Sequence, residues 1–431
     1  MPGEEGPGTN FISRFNPFGS KTTPPVVAPP IDVSGYQPDS GEETPKLKLM
    51  KVSSMPIAGF AVFIKERLKE VPIAPLLVEE GVGGGDSSTT PPRPSGTPPR
   101  KGGEKAKPTP PLTEFVPALR YAERATGNIY QTFTDKIEER KFSGTTIPKV
   151  YEAYFGNRAE SVIMRYLKAD DKTIETFVGT LPKEYLGGDT TKNNEIKGSF
   201  LPNNIKDISL SPDASKIFYL FSSGVNLGNN IVGTTASLLD NKKVQVFDSP
   251  FTEWLSFWPT SKMITLSTKP SSNVPGYMYM LDLDKKNLTK ILGDINGLTT
   301  LTSPNGKLVL YGDNSLSLYI YHTDNRNSDL LGVKTLPEKC VWGKVSDVIY
   351  CAVPKLIDLG AYPDTWYQGE VSFSDQFWKI DIKSGNATLI MDPVTVTAEE
   401  IDGIKLDLDE SENYLFFVNK KDSFLWKLDL K

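Results

Sequence analysis

From about residue 115 onward, apolar and polar positions alternate with a period of two in short runs, each ending in a polar turn. That period puts successive side chains on opposite faces of a strand, and no long stretch shows the 3.6-residue spacing of an amphipathic helix. The recurring unit is an apolar strand, a short polar turn and a second apolar strand. It reads ISLSPDASKIFYLF at 208–221, LSFWPTSKMITLS at 255–267, TLTSPNGKLVLYG at 300–312, CVWGKVSDVIYCAV at 340–353 and LDLDESENYLFFVN at 406–419. EAYFGNRAESVIMRYL at 152–167 follows it less neatly. Pro, then Asp, Asn or Thr, then a small residue makes the turn in the clearest copies.

A third strand follows each hairpin and ends on a slot that is usually Asp: Asp240, Asp282, Asp381 and Asp429. His322 takes the same slot in YIYH, and Phe133 and Phe177 stand in the two earliest copies. Successive slots lie 40 to 63 residues apart, which predicts an all-β chain folded as a seven-bladed β-propeller of four-stranded antiparallel blades. A four-stranded blade cannot cover both of its faces alone, so the ring has to close. Lys431 directly follows the third strand of the last blade, which leaves that blade short of its outer strand. Residues Lys46 to Lys51, where Leu47 and Leu49 alternate with lysines, are expected to supply it. MPIAGFAVF at 55–63 then becomes the innermost strand of the first blade, paired with Ala118–Glu123.

Proline separates the front of the chain from this body, since 20 of 34 prolines fall in the first 112 residues. Residues 1–44 read as a disordered Pro/Gly-rich tether, and 45–431 as the propeller, with a disordered low-complexity insertion at about 81–111. A net charge of −5 argues against a nucleic-acid partner, which would need a basic surface. The longest apolar run, Met55–Ile64, is about half of a bilayer span. MPGEEGPGTN has neither the basic nor the apolar region of a signal peptide, so the chain reads as soluble and without a direct membrane span. Two cysteines and one histidine exclude structural zinc spacing and leave little room for Ser/His/Asp chemistry, and no cofactor is expected.

SPDASKIFYL and SPNGKLVLYG resemble the repeat of TolB-like propellers, a WD40-like class, although the WD and GH signatures of true tryptophan-aspartate repeats are missing. The body, including LRYAERATGNIYQ at 119–131 and YPDTWYQGEVSFSDQFWKIDI at 362–382, also resembles uncharacterised propellers of candidate bacterial phyla. The resemblance covers about 45–431. It implies the propeller fold and, given an anchor upstream of this sequence, a place at the cell envelope; it implies binding rather than catalysis.

Insertions after Phe221, Ser267 and Val353 all fall on loops between second and third strands, hence on one face of a propeller. The longest carries Tyr362, Asp364, Trp366 and Tyr367, and rigid aromatics of this kind suit a contact with a protein or glycan. The same aromatics can instead fold back to pack the loop. His322 and the slot aspartates read as strand-end groups that take hydrogen bonds in the following turn. Cys340 and Cys351 share one hairpin and stand opposite each other if its turn centres between Val345 and Ser346; they are either a disulfide or two buried thiols. Arg93, Arg100, Lys101, Lys105 and Lys107 make the insertion basic, as a solvated loop would be. The expectation from sequence is a monomeric, non-enzymatic binding or scaffold propeller, engaging a protein or glycan on that face. The alternative is a lyase or glycan hydrolase using acidic residues at the channel.

Overall fold

The computed structural model describes residues 48–69, 112–186, 194–224 and 230–431. The expected tether and the whole low-complexity insertion at 81–111, with its basic side chains, lie outside them. Seven separate four-stranded antiparallel sheets form the blades. The first strand, β1 (Leu49–Lys51), precedes blade 1, which is β2 (Ile57–Leu68), β3 (Thr113–Glu123), β4 (Ile129–Phe133) and β5 (Arg140–Lys141). Blade 2 is β6 (Val150–Gly156), β7 (Ser161–Leu167), β8 (Ile174–Thr180) and β9 (Lys197–Phe200). Blade 3 is β10 (Asp207–Leu210), β11 (Lys216–Ser222), β12 (Ile231–Ser237) and β13 (Lys243–Ser249). Blade 4 is β14 (Trp254–Thr260), β15 (Met263–Thr268), β16 (Pro275–Asp282) and β17 (Leu288–Asn296). Blade 5 is β18 (Thr299–Thr302), β19 (Leu308–Gly312), β20 (Ser317–His322) and β21 (Ser328–Lys334). Blade 6 is β22 (Cys340–Trp342), β23 (Val348–Pro354), β24 (Asp375–Asp381) and β25 (Ala387–Met391). Blade 7 is β26 (Gly403–Leu408), β27 (Tyr414–Asn419) and β28 (Leu425–Asp429), with β1 as its outer strand.

The repeated turns share one chemistry. Asp213 Oδ1 accepts the Ser215 N–H at 3.1 Å, Asn305 Oδ1 accepts the Lys307 N–H at 2.9 Å, and Asp409 Oδ1 accepts the Tyr414 N–H at 2.6 Å. In each turn one residue takes the left-handed conformation: Ala214, Gly306 and Glu412, with φ of 51°, 72° and 52°. A short polar side chain thus replaces the missing ladder partners, which is why Asp or Asn recurs there.

Apolar side chains gather between blades. Phe218 and Leu220 of blade 3 pack with Trp254 and Ile264 of blade 4, and Leu310 and Ile320 of blade 5 pack with Trp342 and Ile349 of blade 6. The last seam unites the two ends of the chain: Phe416, Val418 and Leu425 meet Ile57, Leu119 and Tyr121. There β1 pairs with β28 in the register Leu49–Leu428, Met50–Lys427 and Lys51–Trp426. The Asp429 N–H donates to Lys48 O at 2.7 Å, and the Val52 N–H donates to Leu425 O at 2.7 Å. Inner strands come close at the neighbouring seam, where a Cβ added to Gly59 would lie 1.9 Å from the Ala153 carbonyl oxygen. Only glycine fits there.

Cys340 and Cys351 stand directly opposite in the β22–β23 ladder, and the structure joins their Sγ atoms in a disulfide across a Cα separation of 4.1 Å. Both lie in the seam between blades 5 and 6.

Two outcomes are expected. A chain starting at residue 52 loses the outer strand of blade 7, and Leu49→Ala, at a side chain 2% exposed, costs about 2–5 kcal/mol. Thermal melts should show a lower midpoint for both, and an unchanged midpoint for the truncation would contradict the closure. In denatured, unreduced protein the cysteines should resist thiol reagents until reductant is added; two reactive thiols at the outset would contradict the disulfide.

Candidate active site in the channel

The inner strands β6, β10, β14 and β18 and the 3-10 turn Pro337–Lys339 that leads into β22 surround a cavity of about 460 Å³. Its lining includes Tyr154, Asp207, Ser256, Lys269, Glu338 and Tyr367. Most of these sit where an inner strand begins or in a loop between second and third strands, so the cavity lies toward the face to which the sequence assigned its long insertions.

Asp207, the first residue of β10, reaches across to blade 4. Its Oδ2 accepts hydrogen bonds from the Ser256 N–H and from Ser256 Oγ, both at 2.6 Å. Burial raises its pKa to about 6, against the lowering effect of those two donors and with a further rise from the Glu152 charge. Glu338 is also pushed above the ordinary carboxylate range by burial, against the pull of the Tyr367 hydroxyl that donates to its Oε1 and the charge of Lys339. Its side chain is open to solvent at the cavity. Two carboxyls with raised pKa therefore line one cavity, and environments of this kind are where acid–base groups are tuned. Further charged groups stand on other inner strands: Glu152 of β6 pairs with Arg165 Nη1 of the adjacent β7 at 2.5 Å, and Lys405 Nζ of β26 donates to Ala58 O at 2.8 Å.

The loop that follows β23 carries the aromatic residues singled out from sequence. Tyr362 and Trp366 are buried at 4% exposure each, packed with Leu316, Leu336 and Phe373. Trp366 Nε1 donates to Asp402 Oδ2 at 3.0 Å. Asp364 Oδ2 accepts the Ser272 N–H at 2.6 Å, which ties the loop to the β15–β16 connection of blade 4. Its carboxyl sits below the ordinary range: burial alone would raise it, and the Ser272 and Ser271 donors outweigh that. Tyr367 alone of the three aromatics remains open, at 39% exposure, and it reaches the cavity. The short helix α1 (Asp364–Tyr367) sets this division by turning Trp366 inward and Tyr367 toward the channel.

His322 ends β20 and is not among the residues lining the cavity; its Nε2 lies 3.0 Å from Asp329 at an exposed strand end. The slot aspartates hold turns: Asp282 Oδ1 accepts the Asp284 and Lys285 N–H groups at 2.9 Å each. Sequence reading passed over Asp207 and Glu338. The available signal was a charged residue placed where an inner strand starts, as in Asp207 before ISL and Glu338 in LPEKC.

No protein-family profile matches the chain, and no curated protein matches it in sequence. Solved structures do match in fold. An oligogalacturonate lyase in complex with manganese is 9% identical, with a TM-score of 0.49, covering 73% of this chain and 85% of that one. An oligogalacturonate lyase from Vibrio parahaemolyticus is 7% identical, with a TM-score of 0.50, covering 73% of this chain and 86% of that one. Such identity shows the propeller fold alone. The Vibrio parahaemolyticus neighbour is named as an enzyme, and this corrects the expectation of a non-enzymatic binding or scaffold propeller. The physical reason lies in the loop and the channel: Tyr362 and Trp366 pack inward, while carboxyls converge on a cavity. Among the described residues no three His, Cys, Asp or Glu side chains gather as a metal site. No helix among the described residues is long and apolar enough to cross a membrane.

Proposed function

We propose that the protein is a glycan-acting enzyme, a lyase or hydrolase, built on a TolB-like propeller scaffold and working in the channel cavity. The observation that carries this reading is the pair Asp207 and Glu338, two carboxyls of raised pKa lining one cavity. A carboxyl poised near pH 6 can both give and take a proton at neutral pH, as cleavage of a glycosidic bond or removal of a proton beside a carboxylate demands. Asp207 is the better placed of the two, because Ser256 fixes its orientation. Tyr154 and Tyr367 offer ring faces for a sugar, and Lys269 offers a cation at the rim for a uronate carboxylate. The glycan would enter by the face that carries the loops between second and third strands. The oligogalacturonate lyase neighbours make acidic oligosaccharides the first substrates to test.

Incubation with oligogalacturonates and with neutral oligosaccharides should give either the ultraviolet absorbance of an unsaturated product or new reducing ends. Asp207→Asn should lower the rate by about 100-fold or more. No product from any of them, or full activity in the Asn variant, would overturn the proposal.

Stability should also report Asp207. Its folded pKa lies above the unfolded value, so the folded state prefers the protonated form and loses stability as pH rises through about 6. The cost at alkaline pH is at most about 3 kcal/mol. Asp207→Asn removes it, so the variant should gain in melting temperature over the parent at pH 8 and show little gain at pH 4. An equal shift at both pH values would contradict the assignment.

A further inference from the structure

Beneath the aromatic loop lies a group that the channel chemistry does not use. Lys339, Asp375 and Asp402 are each 0% exposed. Lys339 Nζ contacts Asp402 Oδ1 and lies 2.7 Å from Asp375 Oδ2. The Trp366 and Phe373 rings wall the site, with centroids 5.4 and 5.3 Å from Nζ. We propose that Lys339 and Asp402 condense into an intramolecular isopeptide bond, with Asp375 as the proton-transfer group.

The two carboxyls are held differently, and the difference assigns their roles. Asp402 Oδ2 accepts from Trp366 Nε1 at 3.0 Å, Ser372 Oγ at 3.1 Å and the Phe373 N–H at 3.0 Å. Three donors converging on one oxygen are the arrangement that stabilises the oxyanion of a tetrahedral intermediate. The other oxygen, Oδ1, faces the amine and is placed to leave. Asp375 Oδ2 accepts from Lys339 and from the Gly403 N–H at 2.7 Å, whereas its Oδ1 is buried without a partner. One ammonium cannot neutralise two buried carboxylates, so one carboxyl must hold a proton. Burial raises Asp375 to about 6, partly opposed by Lys339 and reinforced by Asp402. Burial alone would raise Asp402 as well, but Lys339 and the converging donors outweigh it and hold it below the ordinary range. The proton therefore belongs to Asp375.

The step balances without any oxidant or cofactor. Lys339 ammonium gives one proton, relayed by Asp375, to Asp402 Oδ1. The neutral amine attacks Asp402 Cγ and forms the C–N bond, while the developing charge settles on Oδ2. Asp375 passes a second proton from nitrogen to Oδ1, the Cγ–Oδ1 bond breaks, and one water leaves. A secondary amide retains the third hydrogen, which points at Asp375 Oδ2. The bond would tie the entry of β22 in blade 6 to the residue before β26 in blade 7.

Intact mass of the reduced full chain tests this directly. The expected mass is one water below that of the sequence, and proteolysis should release a branched peptide joining Lys339 to Asp402. Asp375→Asn should show its full sequence mass. A parent chain at full mass, yielding separate Lys339 and Asp402 peptides, would overturn the bond and leave an ion-paired cluster. A water deficit that maps elsewhere would overturn it equally. The parent protein alone decides, whether or not the variant folds.

Discussion

Three residues at one end of the chain hold the other end. Every blade leaves its apolar side chains in the seam it shares with the next, so each seam needs both partners. Six of the seams join neighbours in sequence, and their loop-closure cost is small. The seventh joins residues near 50 to residues near 425, and it is fastened by the ladder between β1 and β28. Unzipping that ladder would expose Leu49 and weaken the cover over Trp426 and Leu428. The seam behind it would be left to hold alone.

Closure also makes the site. The inner strands converge only in a completed ring, and the residues at their starts then face one another across the channel. Asp207 shows how the seam and the site are linked. Its hydrogen bonds to Ser256 bridge the inner strands of blades 3 and 4, while the same burial that orients it raises its pKa. The loop over blade 6 does both jobs at once. Trp366 goes inward to Asp402 and fixes the loop, which leaves Tyr367 free to meet Glu338 at the cavity. The cluster of Lys339, Asp375 and Asp402 stands below that loop and ties blade 6 to blade 7. Ring, loop and cavity therefore stand or fall together.

Much of the architecture is legible in the sequence, because it is written in local patterns. The hairpin turn at Ser211–Lys216 and its copy at Ser303–Leu308 carry their own hydrogen-bond chemistry, and repetition reveals the ring. The outer strand of blade 7 was legible by subtraction, since strand-like Leu47 and Leu49 lay between two proline-rich stretches. The register of Cys340 with Cys351 followed from counting residues around one turn. The site was not legible in the same way. Asp207 and Glu338 come together only after blades 3 and 6 have taken their places in the ring, and nothing around either residue announces the other. Trp366 stood open between contact and packing for a related reason: only the folded loop shows its ring lying over Lys339 and Asp402.

Amide hydrogen exchange in the native full-length protein tests the closure most directly. The Asp429 and Val52 N–H groups are bonded across the junction, so peptides covering 48–53 and 425–430 should be protected together, and to the level of β27. Rapid exchange of 48–53 while β27 stays protected would show that the N-terminal strand does not close the ring.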